Sequence, residues 1–210
     1  MNNKILIFDF DGTIADTFHN MLKIANRLSD EFHFKKVEPH EIEQLKDNTF
    51  HQNIRHLRVP IVKIPLIVTR AKAELRKDIN SVQPIEGLED NLKKLKSFGF
   101  KMGILTSNSA NNVSNFLKNH DIELFDFIYT ASKILGKNKN LRRLMNNHGF
   151  ALTDVLYIGD EIRDIEAAKR AGIKVAAVTW GYNSKKALAA HHPDFLVSTP
   201  GELLQISQLK

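Results

Sequence analysis

The chain has no cysteine among its 210 residues. That excludes disulfides, a cysteine nucleophile and thiolate metal sites, and it fits a reducing, cytoplasmic setting. Long apolar runs are missing as well. No segment approaches the roughly 18 uninterrupted apolar residues of a membrane span, so no membrane role is expected. The apolar run near the N-terminus is too short for a signal peptide and meets carboxylates at once. There is no internal repeat, no low-complexity segment, no basic repeat, no zinc-finger spacing and no aromatic RNA-binding motif, so nucleic acid is not the expected partner. A net charge of +6 and a pI of about 9.4 favour anionic partners in general, and a small anionic substrate explains that sign as well as a polymer does. At 42% hydrophobic and 26% charged, the composition is that of a globular protein with material for a substantial core.

What is present is a rhythm of short apolar runs. They fall at Ile5 to Phe8, Met102 to Leu105, Phe127 to Tyr129, Val155 to Ile158, Val175 to Val178 and Phe195 to Val197. Between them, Leu88/Leu92/Leu95, Val113/Phe116/Leu117, Leu141/Leu144 and Ile165/Ala168 recur at helical spacing. Alternating strands and helices predict an α/β fold, a doubly wound parallel sheet covered on both faces. Sites in such sheets lie beyond the carboxyl ends of the strands.

One stretch breaks the alternation. From about 17 to 82 the pattern is helical, with stripes at Ile24/Leu28/Phe32 and Ile67/Ala71/Leu75, and Pro60 and Pro65 bracket a short apolar segment that separates two helices. The expected organisation is a core of 1–16 and 83–210 with an all-helical subdomain of 17–82 inserted after the first strand. The insert carries 12 Lys/Arg against 8 Asp/Glu, a net of +4, and five of the nine histidines (His19, His33, His40, His51, His56). These form either a solvated face or a surface toward an anionic substrate.

The strand ends carry the chemistry. The first run leads from Lys4 through Phe8 into Asp9-Phe10-Asp11-Gly12-Thr13. Asp-Gly is an ordinary turn signal, yet two carboxylates at the end of a buried strand are costly unless paired or metal-bound. With a divalent cation, one Asp attacking and the other moving a proton, the pair suits phosphoryl transfer. The second run ends in Thr106-Ser107-Asn108-Ser109, whose hydroxyls, amide and backbone N–H groups can cradle an anion or simply cap a helix. After the third run, Thr130-Ala-Ser-Lys-Ile-Leu-Gly-Lys137 places a lysine ahead of the next helix, either in the cleft or in solvent. The fourth run ends in Gly159-Asp160-Glu161-Ile162-Arg163-Asp164. Acids there complement a helix dipole, but two acidic clusters at strand ends point to oxygen ligands for magnesium. Asp160 and Asp164 share a side if the helix starts immediately.

Taken in order, these residues resemble the haloacid dehalogenase-like (HAD) hydrolase superfamily. Asp9-Phe-Asp11-Gly-Thr13 looks like its first motif, Thr106 its second, Lys137 its third and Gly159-Asp160-Glu-Ile-Arg-Asp164 its fourth. The inserted helices, Val178-Thr-Trp180-Gly181-Tyr and Pro193-Asp-Phe resemble the phosphoglycolate-phosphatase-like branch. The resemblance implies a Mg2+-dependent phosphatase, a phosphoric monoester hydrolase that acts on a small phosphorylated metabolite through an aspartyl phosphate. It implies Asp9 as nucleophile and metal ligand, and Asp11 as acid/base with its backbone carbonyl on the metal. Thr106, Ser107, Asn108 and Lys137 would bind the phosphate, Asp160 would ligate the metal, and Asp164 would ligate or orient it. Glu161 departs from the small hydroxyl residue often found there, and Lys139 stands two residues from Lys137 with the same chemistry. A phosphomutase or a non-catalytic phosphate-binding protein on the same scaffold are the alternatives. Dehalogenation needs neither a metal nor Asp11, and a receiver domain lacks the insert. A monomer or homodimer is expected.

Overall fold

The computed structural model describes residues 5–131 and 136–208. Lys4 and residues 132–135, in two of the segments quoted above, lie outside them. Six strands form one parallel sheet: β1 Ile5–Phe8, β2 Lys101–Thr106, β3 Phe127–Thr130, β4 Val155–Gly159, β5 Lys174–Val178 and β6 Phe195–Val197, in the order β3-β2-β1-β4-β5-β6. β1 is central, pairing with β2 from Ile5↔Lys101 and with β4 from Ile5↔Val155.

Strand alternation divides the core in two. Leu6 and Phe8 point to one face, where they join Leu92 and Leu95 of α5 (Leu88–Ser97) and Phe116 of α6 (Ala110–Asn119). Ile5 and Ile7 point to the other, against Leu141 and Leu144 of α7 (Lys137–His148) and Ile165 and Ala168 of α8 (Ile162–Ala171). Both faces of β1 are thus covered, which is why its run is unbroken rather than alternating. The α/β, doubly wound expectation is met. The long crossovers needed to connect parallel strands are helical.

Between β1 and α5 lie α1 Phe18–Phe32, α2 Ile42–Asp47, α3 Phe50–His56 and α4 Ile64–Asp78. α1 turns Ile24, Leu28 and Phe32, and α4 turns Ala71 and Leu75, into the same apolar cluster. The segment bracketed by prolines is a 3-10 turn, Ile61–Lys63, and Pro65 opens α4, where its missing N–H costs nothing. The chain leaves and re-enters the sheet through paired backbone: the Asp16 N–H donates to the Gln83 carbonyl at 2.8 Å and the Ile85 N–H to the Ile14 carbonyl at 2.9 Å. After β5, α9 (Lys185–Ala190) and α10 (Glu202–Gln208) complete the fold. Among the described residues no helix is long and apolar enough to cross a membrane.

Candidate active site

Asp9 follows β1 directly, and its N–H still donates to the Ile158 carbonyl of β4 at 2.8 Å, so the ladder fixes its backbone. Its Oδ1 accepts from the Phe10 N–H at 2.8 Å and its Oδ2 from the Lys137 ammonium at 2.6 Å. The same ammonium contacts Asp164 Oδ1. Lys137 is the first residue of α7; among the described residues no contact of this kind forms at Lys139, so of the two lysines it is Lys137 that meets Asp9. Asp164 also accepts from Tyr157 Oη at 3.3 Å and from the Glu161 N–H at 3.0 Å. α8 starts at Ile162 rather than immediately after β4, so Asp160 sits in the loop before it. Asp160 accepts from Thr13 Oγ1 at 2.7 Å and from the Tyr182 N–H at 2.7 Å. A side chain at Gly12 would collide with this carboxylate and with the Tyr182 ring, and φ there is +76°, so the turn after Phe10 needs glycine.

Oxygens of Asp9, Asp160 and Asp164 lie within 4.8 Å of one another, all three residues buried. Among the described residues one ammonium serves two of them and none pairs with Asp160. Burial, with Glu161, Asp164 and Asp9 nearby, pushes the Asp160 carboxyl well above its usual range. Burial also raises Asp9, to about 7, against the pull of Lys137. Lys137 answers in kind: burial disfavours its charge, but Asp164 and Asp9 overcome that and hold it protonated. Three buried carboxylates around one cation leave negative charge uncompensated, and the donors are all oxygen. That set fits a hard divalent cation such as magnesium.

Asp11 lies outside the three-carboxylate cluster. Its Oδ1 is buried and has no hydrogen-bond partner among the described residues, and burial lifts its pKa to about 6 while the Thr17 hydroxyl pulls it back. Thr106 is buried and its Oγ1 accepts from the Asn108 N–H at 2.9 Å. Asn108 Oδ1 in turn accepts from the Ser109 N–H and Asn112 Nδ2, so Asn108 orders the turn from behind. Asp9, Asp11, Thr106, Ser107 and Lys137 line one small cavity of about 30 Å³. Four strand ends therefore converge there, with Asp160 and Asp164 bound beside it through Lys137 and the β4 loop.

Three neighbours were not read from the sequence. Arg163 lines the same cavity. Lys72 of α4 reaches the Ser107 carbonyl at 2.5 Å. Asn183 accepts from the Ile162 N–H at 2.9 Å and donates to the carbonyls of Lys46 and Asn48 at 2.8 and 2.9 Å, tying α2 to the start of α8. Arg163 stands inside the quoted fourth motif; the other two are distant in sequence and carry no local signal.

The sequence family described as haloacid dehalogenase-like hydrolase matches residues 6–178, spanning all four strand ends. The chain belongs to the haloacid dehalogenase-like hydrolases. This HAD-like hydrolase is 34% identical over 208 residues to a phosphoglycolate phosphatase of Synechococcus elongatus, covering 98% of each chain. It is 25% identical to pyrophosphatase PpaX of Bacillus velezensis, covering 98% of this chain and 96% of that one. A predicted phosphatase from Clostridium acetobutylicum shares its fold with a TM-score of 0.83 at 20% identity, covering 99% of both. The HAD-like hydrolase is an enzyme, a phosphatase.

Proposed function

We propose that this phosphatase hydrolyses a small phosphate monoester of the phosphoglycolate type, with Mg2+, through a phosphorylated Asp9. The observation that carries the reading is the convergence of Asp9, Asp11, Thr106 and Lys137 on one cavity, with Asp160 and Asp164 clustered against Asp9 beside it and the pKa of the half-buried Asp11 raised to about 6. The identity to a phosphoglycolate phosphatase along the full chain supports the substrate class.

Asp9, Asp160 and Asp164 would hold the metal, with the Asp11 backbone carbonyl as a further ligand. Bound there, the cation offsets the charge that otherwise repels a phosphate dianion from a carboxylate. Asp9 is held for attack: the Phe10 N–H and Lys137 fix its two oxygens. Its free lone pair forms the O–P bond as the ester P–O bond breaks. Asp11 gives its proton to the departing alkoxide, a task that its raised pKa suits. Asp11, now ionised, takes a proton from water, whose oxygen attacks phosphorus. The Asp9–P bond breaks, releasing inorganic phosphate and restoring both carboxyls. Thr106 and the N–H group at Ser107 hold the phosphoryl oxygens, whose charge Lys137 balances, while the Asn108 N–H is turned onto Thr106 Oγ1 and orients it.

Residues 17–82 act as a cap in this reading, docked over the strand ends through Lys72 and Asn183. A phosphate-release panel of metabolite esters, run with magnesium and with EDTA, tests the proposal. Small two- and three-carbon esters should rank first, with release abolished by EDTA and restored by magnesium but poorly by calcium, whose looser coordination misplaces Asp9. Full turnover in EDTA would reject the mechanism.

A further inference from the structure

A second, larger cavity of about 340 Å³ opens beside the catalytic one, between α3 on one side and α7 and α8 on the other. Thr49, Phe50, His51, Lys137, Arg163 and Asn183 are among its walls. Lys137 and Arg163 line both cavities, so they mark the doorway between them. A phosphoryl group seated against Asp9 therefore leaves the rest of its ester pointing past these two cations.

Their charges are committed differently. Lys137 is held between Asp9 and Asp164. Among the described residues Arg163 is paired through one Nη, with Glu161. Its Nε is buried and has no acceptor among the described residues, whereas 37% of its side chain remains open. The Phe50 ring of α3 lies 5.9 Å from the guanidinium carbon and limits its swing. The backbone N–H at the start of α8 is not available as an anion donor, since Asn183 already takes the one at Ile162. What remains for an anion at this doorway is a positioned, unsaturated guanidinium fork, whose geometry matches a carboxylate or a phosphoryl group.

We infer that Arg163 is the specificity-determining residue that holds a second anionic group of the substrate, in the cavity between α3 and α8. This rests on the phosphatase reading above and deepens it. Glu161 acts as the stand-in acid, neutralising Arg163 while that place is empty. The cavity belongs partly to α3, so an ester anchored on Arg163 also touches the helical segment.

Three substrates separate the possibilities: 2-phosphoglycolate, with a carboxylate; pyrophosphate, with a second phosphoryl group; and 2-hydroxyethyl phosphate, of nearly the same size but neutral beyond the ester. Turnover of the neutral ester by the unaltered enzyme reports on the phosphatase reading, independently of Arg163. The unaltered enzyme should prefer at least one anionic substrate by tenfold or more in kcat/KM. Arg163→Met, which keeps an apolar stem beside Phe50, should abolish that preference mainly through KM, with any loss on the neutral ester, from the guanidinium's nearness to Asp9 and Asp11, at least tenfold smaller than the loss on the anionic one. Arg163→Lys should keep part of the preference, since it keeps the charge without the fork. Whichever anionic substrate loses preference identifies the group that Arg163 holds. The inference is overturned if the unaltered enzyme shows no anionic preference, if Arg163→Met keeps it, or if all three substrates weaken together, as a purely structural role requires.

Discussion

At Asp9, Asp160 and Asp164 the folded chain keeps three carboxylates within 4.8 Å and gives them one ammonium. Replacing Asp9 with Asn therefore does two opposite things. The amide cannot attack phosphorus, so kcat should drop by on the order of 10³ or more. It also removes one of the mutually repelling buried charges, so the metal-free protein should melt at or above the temperature of the parent. Steady-state kinetics and a thermal melt in EDTA check the two halves; retention of a tenth of the parental rate would falsify the nucleophile assignment. That Asp9, Asp11, Thr106, Lys137, Asp160 and Asp164 lie in the strand-end loops or the first turns of the helices after them was legible in the sequence, because strand ends are where this fold class gathers its side chains; Asp9 and Thr106 come immediately after their apolar runs, Lys137 and Asp164 several residues later. Arg163 was visible as a letter in the fourth motif, but its role depends on Phe50, which is 113 residues away and reaches it only through the docking of α3.

At the scale of elements, the strands were readable nearly to the residue because burial on both faces demands continuous apolar runs. β2 still begins at Lys101, one residue before its apolar run, because the parallel register pairs Lys101 with Ile5 whatever its side chain. Lys72 follows Ala71 of the buried α4 stripe, and nothing in helical spacing separates a lysine that meets Ser107 from one in solvent. Two polar hubs, one inside the helical segment at Glu41 and one beside it at Asn183, can be broken singly. Glu41 accepts from Lys35, from His56 Nε2 at 2.8 Å and from the Glu38 N–H at 3.2 Å, and the first two of these lower its pKa from 4.5 to about 2. A depressed carboxyl stabilises the fold above its unfolded pKa and loses that contribution as pH falls toward the folded one. The melting-temperature advantage of the parent over Glu41→Gln should thus be full at pH 6 and shrink between about pH 4.5 and 2. A gap that widens on acidification would contradict this. Asn183→Ala removes the acceptor of the buried Ile162 N–H and a donor to the Asn48 carbonyl, while the Lys46 carbonyl keeps the Ser184 N–H at 3.0 Å. Leaving such groups unpaired costs about 1–3 kcal/mol, measurable by urea unfolding. Proteolysis should speed up within 17–82 more than in the core.

Over the whole molecule, an acid cluster that holds a divalent cation, as proposed above, makes stability a function of that cation. A ligand that binds only the folded state adds about 2.7 kcal/mol at a hundred times its Kd, a shift of roughly 5–10 °C for a chain of this size. Magnesium should raise the melting temperature of the parent by that order and leave Asp160→Asn nearly unmoved. An equal rise in both proteins would place the cation elsewhere. That 17–82 is helical was legible because a stretch without strands interrupts the alternation. How it meets the strand ends was not, since the ties through Lys72 and Asn183 join residues 35 or more apart in sequence.

The strand order has a consequence in time. β1 is made first, yet its two neighbours are β2, beginning at Lys101, and β4, ending at Gly159. At about 5–20 residues per second, a ribosome takes roughly 8–30 s to supply the second of them. Throughout that interval Ile5-Leu6-Ile7-Phe8, uncharged and rich in strand-forming side chains, has at least one open edge. The residues that make the best-protected strand of the finished sheet are therefore the ones most exposed to wrong partners while the chain is being born.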